Sequence, residues 1–288
     1  MLQPTNIPKD PLGSAWIIVA AFFFTLMGVL VKQAGTQFNM THYELVFWRV
    51  LLAVIVLAAQ ARWRGHSLKT PYLKEHFERG ITGSISLLLF FYGLTHLPLA
   101  TAITLNYTSA LFLALFSIIL LHEKPSAKMW FGLLFGLAGI VVLLQPAFSS
   151  GMAMQTVIAL GSGVFAGYAY LQVRELSQAG EPAWRVVFYF SLMSGVIAAV
   201  FATFHGWHLP TLSSIPILLG IGITAMFAQL AMTRAYHVGR KFTVASLSYL
   251  AVVFSALYAW LFAGEPLGWL EILGMVMIIV AGVVSSLK

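Results

Sequence analysis

Thr104-Leu105-Asn106-Tyr107 returns along this chain as Ser246-Leu247-Ser248-Tyr249, 142 positions later (246 minus 104). The same spacing relates three further pairs: Gly80–Thr82 with Gly222–Thr224, Glu123 with Glu265, and Gly132 with Gly274. Apolar residues match one another easily, so tyrosine and glutamate at a constant spacing are the stronger sign of a repeat. The sequence therefore predicts an internal duplication.

The composition indicates an integral membrane protein. Hydrophobic residues make up 60% of the 288 positions and charged residues only 9%, far from the values of soluble domains. The net charge of +7 is dispersed between apolar runs and forms no basic patch, which argues against nucleic acid as a partner. The absence of cysteine excludes disulfides and thiolate metal sites.

Ten segments are long and apolar enough to be transmembrane helices, since a helix needs about 20 apolar residues to cross the hydrocarbon. A short lead, residues 1–13, precedes the first of them. The predicted spans are 14–34, 43–61, 78–97, 101–121, 128–145, 154–173, 184–204, 214–234, 242–262 and 268–287.

The basic residues orient these spans. Fourteen of the 16 lysines and arginines, Arg79 among them, fall on one side if both termini are cytoplasmic. The other side receives Lys32, and Arg49 lies within the second span, so the positive-inside rule places both termini in the cytoplasm. Five spans precede the second copy, which is therefore inverted. The predicted fold is an all-α membrane protein with two inverted five-helix repeats, 14–146 and 154–288, joined by a periplasmic connector, 147–153.

An inverted repeat predicts transport by alternating access, because two similar halves can exchange conformations around a central midplane cavity. A passive channel and an intramembrane enzyme are the alternatives. Neither G-x-S-x-G nor H-E-x-x-H occurs, and there is no phosphate-binding loop, so we expect no enzymatic activity and no cofactor. His205 and His208 are expected to be interfacial loop residues rather than metal ligands.

The ends of the fourth and ninth spans carry a resemblance to a known family. Leu121–Pro125 (Leu-His-Glu-Lys-Pro) and Ala263–Pro266 (Ala-Gly-Glu-Pro) precede glycine-spaced helices. The whole chain resembles the drug/metabolite transporter superfamily, EamA family, and within it the YddG-type exporters of aromatic amino acids. That resemblance implies a multi-pass protein of the bacterial inner membrane that works as a monomer in lipid. It also implies export of aromatic and other apolar amino acids and related metabolites.

The repeated polar string supplies the first candidates for the substrate cavity. Asn106, Tyr107 and Ser109 lie in the fourth span, and Ser248 and Tyr249 take the matching place in the ninth. Polar groups in mid-membrane mark a cavity or a helix contact. A tyrosine pair suits an amphipathic ligand, but hydrogen bonding between helices explains the same residues equally well.

Further cavity candidates come from four other spans. They are Phe90 and Tyr92 in the third, Gln229 in the eighth, Thr25 in the first and Tyr168 in the sixth. The amide of Gln229 can donate and accept, so it suits a zwitterionic ligand, although holding two helices together is the alternative role. Tyr168 lies beside small residues that favour close helix packing.

Charged residues near the span ends are predicted to form ion pairs or gates. Arg49 needs a partner because a charge in mid-membrane is costly, and Glu44 or His42 lies near the same end. A substrate carboxylate is the alternative partner. Glu123 and Glu265 end corresponding spans on opposite faces, so they are candidate gates or simply interfacial carboxylates.

Overall fold

The regular structure described in this chain is entirely helical. The computed structural model describes residues 12–122, 151–208, 210–239, 241–264 and 268–286, with 127–128, 131–132, 134–136, 138–139 and 141–142 between the first two ranges. Within these residues, six helices are long and apolar enough to cross a membrane: Gly13–Phe38, His42–Trp63, Leu99–Leu121, Ala153–Gln178, Ala183–His205 and Ile215–Val238. The prediction of an α-helical membrane protein is confirmed, whereas ten spans and cytoplasmic termini stay predictions.

Eleven α-helices have complete bounds in the described residues. They are α1 (Trp16–Phe38), α2 (His42–Trp63), α3 (Leu73–His96), α4 (Leu99–Tyr107), α5 (Ser109–Leu121), α6 (Ala153–Gln178), α7 (Ala183–His205), α8 (Ile215–Val238), α9 (Lys241–Ser248), α10 (Leu250–Tyr258) and α11 (Trp269–Ser286). One turn of π-helix, Ala259–Ala263, extends α10. The described residues between 127 and 142 are also helical.

The helices of the two halves follow the 142-residue spacing. Adding 142 to both ends of α3 gives the bounds of α8, and α2 and α7 agree to within one residue in the same way. Packing follows the same relation. The contact of α1 with α8 is as extensive as that of α3 with α6, and α2 with α8 matches α3 with α7. These two pairs of contacts are unchanged when the halves are exchanged, as a twofold relation between repeats requires.

The predicted fourth and ninth spans are each interrupted beside the repeated polar string. The breaks fall at Thr108, between α4 and α5, and at Tyr249, between α9 and α10. In each tight turn the backbone carbonyl accepts from the amide three residues on, from Leu111 at 2.9 Å and from Val252 at 3.0 Å. Each carbonyl also accepts from the amide four residues on, Phe112 at 3.2 Å and Val253 at 3.4 Å, and Thr108 and Tyr249 keep helical dihedral angles. Each interruption is therefore one tightened turn in which the backbone carbonyl stays hydrogen-bonded.

Gly163 and Gly167 bring α6 against the break at Thr108. A Cβ at Gly163 would collide with the side chain of Thr108, and one at Gly167 would lie 2.9 Å from the carbonyl oxygen of Ser109. Small residues let membrane helices approach this closely. The packing explanation for these glycines agrees with the structure, and the tight contact fixes α4 beside the cavity.

Candidate substrate site

A small cavity lies where seven helices of the two halves meet. Its volume is about 50 Å³, room for only a few water molecules. The described residues that line it are Phe24, Arg49, Arg79, Gly83, Ser86, Leu87, Phe90, Asn106, Tyr107, Ala166, Ala169, Tyr170, Phe190, Gln229 and Met232. They come from α1, α2, α3, α4, α6, α7 and α8, so α2 and α7 join the helices expected from the sequence. No described residue of α9 or α10 reaches it.

Part of the lining follows the repeat. Three pairs of positions 142 apart both face the cavity: Phe24 with Ala166, Leu87 with Gln229, and Phe90 with Met232. Equivalent turns of α1 and α6, and of α3 and α8, therefore meet around one centre. The paired positions correspond in place but differ in chemistry: the Gln229 amide takes the place of Leu87, and Met232 takes the place of Phe90.

Arg49 reaches the cavity from the third turn of α2. It is 4% exposed, and its Nη2 donates to Gln229 Oε1 at 3.3 Å. The ring of Phe91 lies 5.7 Å from the guanidinium carbon. Nε and Nη1 have no hydrogen-bond partner in the described part of the chain. The predicted ion pair with Glu44 is absent between these two described residues, because the Glu44 carboxylate binds Thr41 and His208 instead.

Arg79, which the sequence grouped with the basic residues of the cytoplasmic side, is a second buried arginine in the same cavity. Helix α3 begins at Leu73, five residues before the predicted span, so Arg79 lies in its second turn and is only 3% exposed. Its guanidinium carbon lies 4.3 Å from the centre of the Phe190 ring. Among described residues, its Nε and Nη1 find no hydrogen-bond partner. A membrane arginine is costly, so this arrangement calls for a counter-ion.

Gly83 makes the space for Arg79. It lies four residues later on the same face of α3, and a Cβ there would overlap the guanidinium and come within 2.8 Å of the Phe190 ring. The arginine side chain can therefore fold along its own helix toward the cavity. Arginine followed by glycine at the helical spacing is a sequence signal that could have identified this residue.

Four of the predicted cavity residues lie at the site. Phe90, Asn106, Tyr107 and Gln229 all line it. Asn106 also donates to Ser162 Oγ at 3.0 Å, so it both holds α4 to α6 and faces the cavity. Ser109 is buried at the start of α5 and is not among the described lining residues.

The other cavity candidates lie away from it. Tyr92 stacks on His96 with ring centres 4.0 Å apart. Tyr168 contacts Phe116, and the Thr25 hydroxyl donates to the carbonyl of Ala21 at 2.9 Å. Ser248 and Tyr249 are buried at the break between α9 and α10, and the Tyr249 hydroxyl has no hydrogen-bond partner among the described residues. In this conformation these residues are packing elements.

Glu44 connects the first half to the second at one end of the helix bundle. Its carboxylate accepts from the Thr41 backbone and hydroxyl, both at 2.8 Å, and thereby caps α2. It also accepts from the backbone N–H of His208, and His208 Nδ1 lies 3.0 Å away. His208 belongs to the connection between α7 and α8. We call this group, Thr41, Glu44 and His208, the Glu44 clasp.

A corresponding group, which the sequence did not reveal, lies at the start of α7. Glu181 accepts from Thr70 Oγ1 at 2.7 Å and from Arg185 Nη1 at 3.1 Å, and His76 Nε2 lies 3.1 Å away. Thr70 belongs to the connection between α2 and α3. We call these four residues the Glu181 clasp. Each clasp uses a buried carboxylate at the start of α2 or α7 to hold a connection of the other half. The predicted gates, Glu123 and Glu265, lie outside the described residues.

Comparisons with known proteins agree with the duplicated fold. Residues 11–145 and 154–287 each match the EamA-like transporter family. The chain is 32% identical to the pseudopaline exporter CntI of Pseudomonas aeruginosa, over 95% of both proteins. It is 25% identical to a riboflavin transporter of Vibrio cholerae, over 90% of this chain and 88% of the relative.

Two more distant similarities extend this result. An S-adenosylmethionine uptake transporter of Rickettsia bellii is 23% identical, over 88% of this chain and 86% of its own length. A solved crystal structure with 22% identity covers 94% of this chain and 97% of its own, with a TM-score of 0.70. At that identity the structural match supports the fold alone. The names of the relatives indicate transporters of small molecules rather than enzymes.

Proposed function

Because the chain belongs to the EamA-like transporter family, we propose that it exports small metabolites with a carboxylate and an aromatic or apolar body. Aromatic and other apolar amino acids are the simplest members of that class. The observation that carries the proposal is the joint presence of Arg49, Arg79 and aromatic rings in one central cavity. The aromatic lining residues are Phe24, Phe90, Tyr107, Tyr170 and Phe190.

The chemistry of the lining suits such a cargo. A guanidinium presents paired N–H donors that match the two oxygens of a carboxylate. Aromatic rings provide flat apolar surface for a ring or a branched side chain, and the Tyr107 and Tyr170 hydroxyls add hydrogen bonds. The same cavity therefore offers a favourable environment to both the charged end and the apolar body of an amphipathic ligand.

The size of the cavity supports alternating access. At about 50 Å³ it is far smaller than the roughly 300–1,000 Å³ of typical ligand pockets, so helices must separate before cargo enters. The twofold relation of the repeats gives two equivalent ways of separating them, one toward each face. A permanently open channel would require a continuous pore instead.

We further propose the bacterial inner membrane as its location, ten spans with both termini in the cytoplasm, and a functional monomer. The distribution of basic residues supports this orientation. Because the chain has no cysteine, single cysteines at Ser67 and Ser213 can be labelled without background. An impermeant maleimide should reach Ser67→Cys only from the cytoplasmic side and Ser213→Cys only from the periplasmic side. The reverse pattern would overturn the orientation.

Pseudopaline is the second candidate cargo. The relative named as its exporter is 32% identical over 95% of both chains, a higher identity than to the riboflavin or S-adenosylmethionine transporters. The relatives also differ in cargo, so family membership alone selects none of these molecules.

Counterflow in proteoliposomes tests the proposal. Vesicles containing the purified chain are preloaded with unlabelled tryptophan, phenylalanine or pseudopaline, and labelled molecules of the same kind are added outside. A carrier should accumulate label transiently and saturably, whereas protein-free vesicles should not. Rapid equilibration without counterflow would indicate a channel, and chemical conversion of the added molecule would indicate an enzyme. If no carboxylate-bearing compound moves, the proposed cargo class is wrong.

A further inference from the structure

We infer that the cargo is dianionic, with two acidic groups beside its aromatic or apolar body. This inference rests on the proposed function and narrows its cargo class to members with two acidic groups, which excludes amino acids that carry a single carboxylate. It starts from Arg49 and Arg79, two buried arginines that line one cavity of about 50 Å³. Neither forms an ion pair with a described carboxylate, and no Asp or Glu is present among the described lining residues.

The first step is the balance of charge. The neutral polar groups at the cavity include Ser86, Asn106, Tyr107, Tyr170 and Gln229. Their dipoles can orient a ligand, but they cannot neutralise two guanidinium ions in surroundings of low dielectric. A zwitterionic amino acid adds no net charge, and a monocarboxylate compensates one arginine. Two acidic groups are needed to compensate both.

The second step is the number of free donors. Arg49 gives Nη2 to Gln229 and keeps Nε and Nη1, and Nε and Nη1 of Arg79 are likewise without partners among the described residues. The unpaired Nε–H and Nη1–H groups of one guanidinium point in different directions, so neither arginine is satisfied by the described residues around it. The two guanidinium groups come from different helices, α2 and α3, so two separate acidic groups compensate them better than one shared group.

The third step is that the second arginine is structurally supported. Gly83 removes the Cβ that would collide with the Arg79 guanidinium, and Phe190 lies against that guanidinium at 4.3 Å. Gln229 and Phe91 hold Arg49 in a comparable way. Both guanidinium groups are thus fixed at the cavity before cargo arrives, which lowers the entropic cost of binding.

Binding of four related probes to the purified full-length chain tests the inference. Phenylsuccinate carries two carboxylates, 3-phenylpropionate one, phenylalanine is a zwitterion, and 2-phenylethylamine is a cation. Phenylsuccinate should bind roughly ten- to hundredfold more tightly than 3-phenylpropionate, since one charge-assisted contact has that effect. The amine should not bind. Affinity is measured by calorimetry in detergent.

Variants identify the groups responsible. Arg49→Gln and Arg79→Gln should each reduce the phenylsuccinate affinity to about that of 3-phenylpropionate, and the corresponding lysine variants should lose less. Lys69→Gln removes the same charge from an exposed connection and should have no effect. The melting temperature without ligand shows whether each variant is folded. If the glutamine variants do not fold, the ranking of the four probes on the wild-type chain decides.

Failure of the dianionic inference can be distinguished from failure of the proposed function. If phenylalanine binds as tightly as phenylsuccinate and shows counterflow, the cargo is not dianionic although the proposed function stands. If no acidic probe binds and no carboxylate-bearing compound is exchanged, both proposals are wrong.

Discussion

Arg49 and Arg79 belong to the first half, and the positions 142 residues later in the second half are Ser191 and Ile221. The helices that carry them have matching bounds and matching contacts. The repeat therefore sets where helices lie, while residues that differ between the copies set the charge of the cavity. The helices of the two halves are thus arranged symmetrically around a cavity whose charged residues come from one half.

The same contrast extends to a small residue. Gly83, which gives Arg79 its space, corresponds to Ala225 in the second half. Ile221 has no guanidinium to accommodate along its helix, so a Cβ at position 225 is tolerated. Glycine in a helix interior costs roughly 0.5–1 kcal/mol relative to alanine. The first half thus accepts a weaker helix where the site needs a charged group.

Substitutions at Gly83 and Ala225 should give the largest difference in transport between the two halves. Gly83→Ala should displace the Arg79 guanidinium from the cavity and slow counterflow of carboxylate cargo roughly ten- to hundredfold, the loss expected for one charge-assisted contact. Ala225→Gly, the matched control, should transport at the wild-type rate and lose only about 0.5–1 kcal/mol of stability. Equal transport in both variants would show that Arg79 needs no space beside Gly83.

Glutamine substitutions in the two clasps should shift the conformational equilibrium toward opposite faces of the membrane, with a smaller effect on transport than Gly83→Ala. Glu44→Gln weakens the contact with His208 and should favour opening toward the periplasm, while Glu181→Gln weakens the contacts with Thr70 and Arg185 and should favour opening toward the cytoplasm. Losing a hydrogen bond to a charged group, about 1.5–3 kcal/mol, shifts a two-state equilibrium by roughly tenfold or more where only one state makes that bond.

Leu87→Cys, a lining position in the cysteine-free chain, reports these shifts. Its labelling by an impermeant maleimide should rise from the periplasmic side in the Glu44 variant and from the cytoplasmic side in the Glu181 variant. If both variants expose the introduced thiol to the same side, the clasps do not act on opposite faces.

Much of the fold and part of the site follow from local sequence. The duplication predicted equivalent helices, and polar residues in apolar segments led to Asn106, Tyr107 and Gln229. The burial of Arg79 was not predicted, because a charge at the end of a predicted span resembles a loop charge. The helix begins five residues earlier than hydropathy indicates, and Gly83 allows the side chain to be buried.

Other site residues depend on contacts between distant parts of the chain. Phe190 lies in an apolar segment where nothing local distinguishes a cavity-facing ring from a lipid-facing one. Glu181 is a connection residue in the sequence, and its role arises from Thr70, 111 positions away. Such contacts follow from the packing of whole helices, which the periodicity of one segment does not determine.

The repeated tyrosines give the smallest expected difference between the halves. Tyr107 lines the cavity, whereas the buried Tyr249 hydroxyl has no hydrogen-bond partner among the described residues. Removing the hydroxyl in Tyr107→Phe should weaken cargo binding roughly two- to tenfold, the value of one neutral hydrogen bond. Tyr249→Phe should leave transport unchanged, because it removes only an unsatisfied polar group whose burial is itself unfavourable. Concentration dependence of counterflow in both variants measures the difference. A loss in Tyr249→Phe as large as in Tyr107→Phe would mean that the second tyrosine reaches cargo in another conformation, as alternating access between two equivalent halves would require.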